Sequence, residues 1–363
     1  MLATIEDAGL CRVAQRGDVC IYRLQQKKLA NGYFIISSEP TRKLMASPEV
    51  VGYDSYKATV PSTSAVLSLL KEQGEDFGDG VSILTILRGG LNYPVEECCH
   101  ENGIRVNNID FLSCERIISD GVITGLDIKY EKFTVEHDCT LVMGDIIASG
   151  DTLSHCMEQV AQKIAAAGGS LKKVIFFTIG GTKAVFLLEK LTASFRKLWP
   201  GFEGFTCFFY EGIFTVYEDK GVTGVNIPDI DFGWNGGIIS PEFRSYITDD
   251  ANALFEKCII YDGGARRYEI PAHCEEVTDY WERLAAVADK SDFKAFVEEK
   301  IGYGFPISYG DWLKVTGLMG TGKYEDLYRK ETDFILRTLK RSLGEICRER
   351  LAGFRRNMAA YIK

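Results

Sequence analysis

Between residues 81 and 216 the chain alternates five strand-like runs with helix-patterned segments, and that alternation leaves few folds open. The runs are Val81 to Leu87, Ile104 to Leu112, Thr140 to Met143, Lys173 to Ile179 and Phe205 to Val216. Several are apolar at nearly every position, as strands buried on both faces are. Residues 152–167 and 184–197 carry helical spacing, and Gly168-Gly169 supplies a stop after the first. Repeated strand–helix units predict an α/β fold, a doubly wound parallel sheet. Upstream, residues 62–74 read as a helix, and residues 1–45 as a small β-rich piece with runs at Val19 to Tyr22 and Tyr33 to Ile36. Downstream, residues 276–301 and 324–361 are helix-patterned, so the second expected unit is a mostly helical C-terminal extension. The expected division is 1–225 for the α/β part and 226–363 for a loop-rich, then helical part.

Two loops follow apolar runs and carry anion-binding chemistry. Asp145 comes at the carboxyl end of the 140–143 run, where open α/β sheets place ligands. Ala148-Ser149-Gly150-Asp151-Thr152 then leads into a helix start, which offers backbone N–H groups, hydroxyls and the positive dipole end. Gly150 lets the backbone approach an anion closely. The bland alternative is an ordinary strand-to-helix turn. The second loop, Arg88-Gly89-Gly90, follows Val81 to Leu87. An Arg with two glycines suits a phosphate, though a solvated Arg beside a turn has the same spelling.

The stretch Thr140 to Leu153 resembles the phosphoribosyl-diphosphate motif of type I phosphoribosyltransferases. Asp145, Ile146, Ile147, Ser149, Gly150, Thr152 and Leu153 fit that motif, whereas Gly144 stands where the family usually has an acid. Ala148 at the variable position is nearest to the adenine-type members. The family's basic-residue-plus-glycine loop precedes the acidic motif by fifty to seventy residues, and here Arg88 precedes Asp145 by 57. The resemblance covers residues 60–220. It implies transfer of ribose 5-phosphate from phosphoribosyl diphosphate to a nucleobase or other nitrogenous acceptor, with Mg²⁺ carried on the diphosphate and no dedicated protein metal site. It also implies roles: Asp145 on the ribose hydroxyls; Ala148, Ser149, Gly150, Asp151 and Thr152 around the 5-phosphate; Arg88, Gly89 and Gly90 on the pyrophosphate. The stretch Ser113 to Phe133 reads as a long hairpin in the place of the family's closing loop, with Glu115 as the counterpart of a catalytic Glu. Exposed surface residues are the alternative for Glu115 and Arg116. Lys183 corresponds to a base-contacting Lys, or else is a surface residue at a helix start. The rival to an enzyme is a non-catalytic regulator or sensor that binds phosphoribosyl diphosphate or a nucleotide, and Gly144 supports it.

The remaining features bound the function from outside. A net charge of −9 argues against a general nucleic-acid surface. No apolar run reaches membrane-spanning length, and Met1 to Asp7 lacks a signal-peptide pattern, so the expected location is cytoplasmic. Eleven Cys without a Cys-x-x-Cys pair read as free thiols. Phe232 or Trp234 could stack on a base or simply fill the core. Gly317 to Tyr324 nearly spells a P-loop, but Tyr324 replaces the required hydroxyl and no apolar strand precedes it. Residues 335–358 carry one apolar stripe, read as a single last helix, and the segment 337–363 has a net charge of +6. That helix either docks on the body or meets an anionic partner such as RNA. The acceptor and the state of assembly, a homodimer among the options, are not legible.

Overall fold

The computed structural model describes residues 9–26, 28–87, 89–119, 122–134, 136–148, 150–217, 221–225, 231–249, 251–256, 267–319 and 322–362. Arg88 and Ser149 lie outside the described residues, as do Gly320 and Thr321 of the P-loop-like segment. The strands are β1 (Gly9–Arg16), β2 (Val19–Gln25), β3 (Gly32–Ser37), β4 (Val81–Leu87), β5 (Val106–Ser119), β6 (Val122–Lys132), β7 (Cys139–Ile147), β8 (Leu171–Gly181), β9 (Gly204–Tyr217) and β10 (Asp231–Ile239). The helices are α1 (Glu39–Ala46), α2 (Gly52–Glu72), α3 (Val95–Glu101), α4 (Asp151–Ala166), α5 (Thr182–Leu198), α6 (Pro241–Ile247), α7 (Ala251–Phe255), α8 (Ile270–Val287), α9 (Phe293–Ile301), α10 (Tyr309–Val315), α11 (Glu325–Thr338) and α12 (Leu343–Asn357).

The ten strands form one sheet in the order β1-β2-β3-β9-β8-β7-β4-β5-β6, with β10 also on β9. The six from β3 to β5 are parallel. The pairs β1–β2, β2–β3, β5–β6 and β9–β10 are antiparallel. The expected parallel sheet is therefore a mixed one. Its centre follows the rule for doubly covered strands: every residue of β8 except Lys172 is buried. The N-terminal β-rich stretch, β1 to β3, continues the sheet, because β3 pairs in parallel with β9.

The order of the central strands fixes where the chain reverses direction. From β4 it crosses through α3 to β5 on one side. From β7 it crosses through α4 to β8, and through α5 to β9, on the other. Right-handed crossovers then put α3 on one face of the sheet and α4 and α5 on the opposite face. α4 is held there by Leu153, Met157, Val160 and Ile164, spaced for one helical stripe and each contributing about 1.5–3 kcal/mol on burial. Between β4 and β7 lies the topological switch point, the place where sheets of this kind take ligands.

The C-terminal segment docks on the β1–β3 side. Arg267 is buried and donates to the carbonyls of Leu44, Ser47 and Val50, and Arg350 joins Glu49 to Glu256. The stripe expected to run through one last helix is divided between α11 and α12. Ser342 caps α12 with a reciprocal Glu345 contact and so ends the run. Three basic residues of that region are paired within the molecule: Arg341 with Glu349, Arg350 with Glu49, Arg355 with Glu282. Phe232 and Trp234 are buried against Phe214, and Trp234 also against Phe243, so they pack the core. The P-loop-like segment follows α10, not a strand. Among the described residues, no helix is long and apolar enough to cross a membrane.

One buried carboxyl ties several of these parts together. Glu211, at φ +65 on β9, accepts from the Ser38 N–H (3.0 Å), the Thr41 hydroxyl and the Ser240 hydroxyl (3.1 Å). Ser38 caps α1 and Ser240 caps α6. Burial pushes the carboxyl up to about 7, against the lowering effect of these hydrogen bonds and of the Arg42 charge. A raised carboxyl pKa contributes stability that is complete below the unfolded value near 4.5 and lost as pH rises through about 7. Urea midpoints of the wild type should therefore fall across that window, on the order of 3 kcal/mol in all. Glu211→Gln should flatten the fall; parallel pH profiles for the two proteins would contradict the assignment.

Candidate functional site

β4 and β7 pair only through Ser82–Leu141 and Ile83–Val142. Beyond that point they part, β4 staying with β5 to Leu87–Ser113 and β7 staying with β8 to Ile147–Gly180. The gap is entered by the loop after β4, which makes a single 3-10 turn at Gly90–Asn92. There the Asn92 carbonyl oxygen Oδ1 accepts from the Gly144 N–H at 2.7 Å. A side chain thus replaces the strand partner that Gly144 loses where the ladder opens.

This contact explains why Gly144 is not an acid. A Cβ at Gly144 would stand 2.4 Å from the Leu91 carbonyl oxygen, 2.6 Å from its carbon and 3.1 Å from the Asn92 nitrogen. All three are backbone atoms, so no rotamer change relieves them. The acid that the resembling family usually has at this position would find no room here. Gly89 is equally confined, its Cβ position lying 2.7 Å from the Ile86 carbonyl oxygen and 3.4 Å from the Gly144 carbonyl oxygen. The loop after β4 therefore lies against β7 at Gly144, joined to it through Asn92.

Asp145 lies within β7, two residues before its end, and is only 8% exposed. Its Oδ1 accepts from the Ile146 N–H at 2.8 Å. On β8 it is paired with Thr178, whose buried Oγ1 has no hydrogen-bond partner. Ala148 is buried; Gly150 takes φ +85 and is the N-cap of α4, and as a glycine it gives the first turn no side-chain cap. The left-handed conformation is what requires glycine here, since the nearest atom to a Cβ at Gly150 is the movable tip of the Leu187 side chain. Asp151 is exposed and Thr152 half-buried in that first turn. The uncapped N–H groups point to the carboxyl side of the sheet. α5 begins in the same way beside it, on Gly181 without a side-chain cap.

Two expected residues stand further out. β5 leaves β4 at Ser113, so residues 114–119 and their β6 partners project past the sheet's carboxyl edge. Glu115 is exposed on that hairpin, 3.9 Å from Lys129. The hairpin leans on α4 through Lys163 and Glu131. Lys183 is exposed in the first turn of α5. Asn92 was missed from sequence, where an isolated Asn four residues beyond a strand carries no signal. The described cysteines form no disulfide, and burial pushes the thiols of Cys98, Cys99, Cys139 and Cys347 up to about 12, which leaves them protonated and inert. Among the described residues no group of three His, Cys, Asp or Glu side chains is placed to hold a metal ion.

No family model matches the chain, and no curated protein does. Solved structures similar to it include three phosphoribosyltransferases. The hypoxanthine phosphoribosyltransferase of Staphylococcus aureus is 14% identical over 41% of this chain and 73% of its own, with a TM-score of 0.27. The hypoxanthine-guanine enzyme of L. donovani is 14% identical over 38% and 78%, with a TM-score of 0.30. The purine phosphoribosyltransferase of Pyrococcus horikoshii is 16% identical over 41% and 79%, with a TM-score of 0.26. At these scores the likeness carries no weight for function, and the reading below rests on the chain's own residues.

Proposed function

We propose that the protein binds phosphoribosyl diphosphate at the β4–β7 switch point and transfers its ribose 5-phosphate to a nitrogenous acceptor, releasing pyrophosphate. The observation that carries this reading is the meeting of the Gly89–Asn92 loop with β7 beside Asp145 and the uncapped start of α4. In the reaction the C1–oxygen bond to the diphosphate breaks, the acceptor nitrogen forms a bond to C1, and positive charge develops on the sugar between the two events. Asp145 orients the ribose hydroxyls and faces that charge. Gly150, Asp151 and Thr152, with Ser149, hold the 5-phosphate through N–H groups and hydroxyls. Gly89 and Gly90, with Arg88, hold the pyrophosphate. Mg²⁺ would be carried on the diphosphate oxygens, as it commonly is with few protein ligands. It would neutralise charge on the leaving group. The 114–128 hairpin, carrying Glu115, is the segment to exclude water, and Lys183 is the candidate contact to the acceptor.

A second reading, a binding protein without turnover, is favoured by one observation: Gly144 admits no side chain, so this position cannot supply the acid that the resembling family has there. Calorimetry with Mg²⁺ and phosphoribosyl diphosphate tests what both readings share. Wild type should bind, and Ser149→Ala with Thr152→Val should weaken binding by about 100-fold. Absence of binding by the wild type would remove both. Pyrophosphate release across a panel of nucleobases and amines then separates enzyme from sensor.

A further inference from the structure

Asn92 carries an unsatisfied group that the fold orients. Its side chain is 5% exposed and lies where β4 and β7 part. The Gly144 N–H needs an acceptor and takes Oδ1 at 2.7 Å, which settles the amide's rotation. The Nδ2 end must then face the other way. It stands 3.1 Å from the Cβ position of Gly89, against the glycine turn, and among the described residues finds no hydrogen-bond acceptor. A buried donor of this kind is a standing cost of folding unless a ligand accepts from it. Nδ2 itself is shielded from solvent, and Gly89 admits no side chain beside it, since even a Cβ there would collide with the Ile86 carbonyl.

We infer that Asn92 is a ligand-positioning residue whose NH2 group donates to an anionic oxygen of the diphosphate held over the Gly89–Gly90 turn. The inference rests on the phosphoribosyl-diphosphate reading of the same crevice. It adds a donor that the motif does not contain, and a direct link between the two loops. One amide then holds the ligand's leaving group at Nδ2 and the strand bearing Asp145 at Oδ1, so the diphosphate and the ribose-facing acid are set relative to each other by a single rigid side chain.

Asn92→Asp tests this. It keeps shape and the acceptor for the Gly144 N–H, and replaces the donor by an anionic oxygen. Binding is measured on the full chain by calorimetry with Mg²⁺ and three probes: inorganic pyrophosphate, phosphoribosyl diphosphate and ribose 5-phosphate. Affinity for the first two should fall by about 100-fold, while ribose 5-phosphate, which ends at α4, should change by less than about 3-fold. A role limited to holding the loops would affect all three alike. A second measurement uses the wild type alone, so that it stands even where the variant folds poorly. In ¹⁵N-asparagine-labelled protein, the Asn92 side-chain amide signals should shift with pyrophosphate and not with ribose 5-phosphate. Unmoved signals, or equal losses for all three probes, overturn the inference while leaving the functional reading in place. Failure of the wild type to bind any of the three overturns both.

Discussion

Gly144→Ala should destabilise the protein by about 3 kcal/mol or more, the upper end for overpacking a filled interior. The added methyl would sit 2.4 Å from the Leu91 carbonyl oxygen, a distance that only backbone movement relieves. Moving the Gly90–Asn92 turn away would lengthen the Asn92–Gly144 hydrogen bond as well, and a buried N–H left without a partner adds its own cost. Gly304→Ala is the control: nothing lies within 4 Å of its Cβ position, so its effect should stay within about 0.5 kcal/mol. Urea midpoints compare the two, and equal midpoints would mean that the loop does not pack on β7 as described. The consequence for chemistry is direct. Gly144→Glu should abolish folding or binding rather than raise activity, because the position is occupied by backbone and not by a pocket awaiting an acid.

Asp145→Asn should lower turnover by about 100-fold or more while changing phosphoribosyl-diphosphate affinity by less than about 10-fold. With Gly144 confined, Asp145 is the acid left to face the ribose from this strand. Charge-assisted hydrogen bonds to two hydroxyls are worth about 1.5–3 kcal/mol each. Asn keeps the shape and some of the hydrogen bonding, so ground-state binding suffers little. The lost charge matters most when the sugar becomes cationic, and that difference appears in kcat. Burial of Asp145 within β7 strengthens the expectation, since a carboxylate shielded from water acts at lower dielectric. If binding and pyrophosphate release were both unchanged, Asp145 would be a structural residue and the enzyme reading would lose its chemical centre.

Elements whose cause is local were legible from the residues alone. β4 was read as Val81–Leu87 and is Val81–Leu87, because a strand covered on both faces is continuously apolar and the polar stretch before it and the glycines after it are unambiguous. α4 and α5 were legible because their periodic stripes repeat every turn. The break between α11 and α12 was legible too, in Ser342 and Glu345, but the longer apolar stripe masked the cap. The start of α6 at Ser240-Pro241 was passed over in the same way within a glycine- and aromatic-rich stretch.

By itself the sequence determined the strand–helix alternation, the positions of the two glycine loops and the place of Asp145 near the end of a buried strand, since each depends on residues close together in the chain. Only the tertiary structure decided that β3 joins the sheet through β9, that Trp234 is core, and that Gly144 is a packing requirement where an acid had been expected. It also decided that Asn92 stands between the loops with one end satisfied and the other not. The physical reason is the same in each case. Which backbone approaches a given residue within 3 Å depends on how strands distant in sequence part and pack, and the spacing of residues along one chain does not encode that separation.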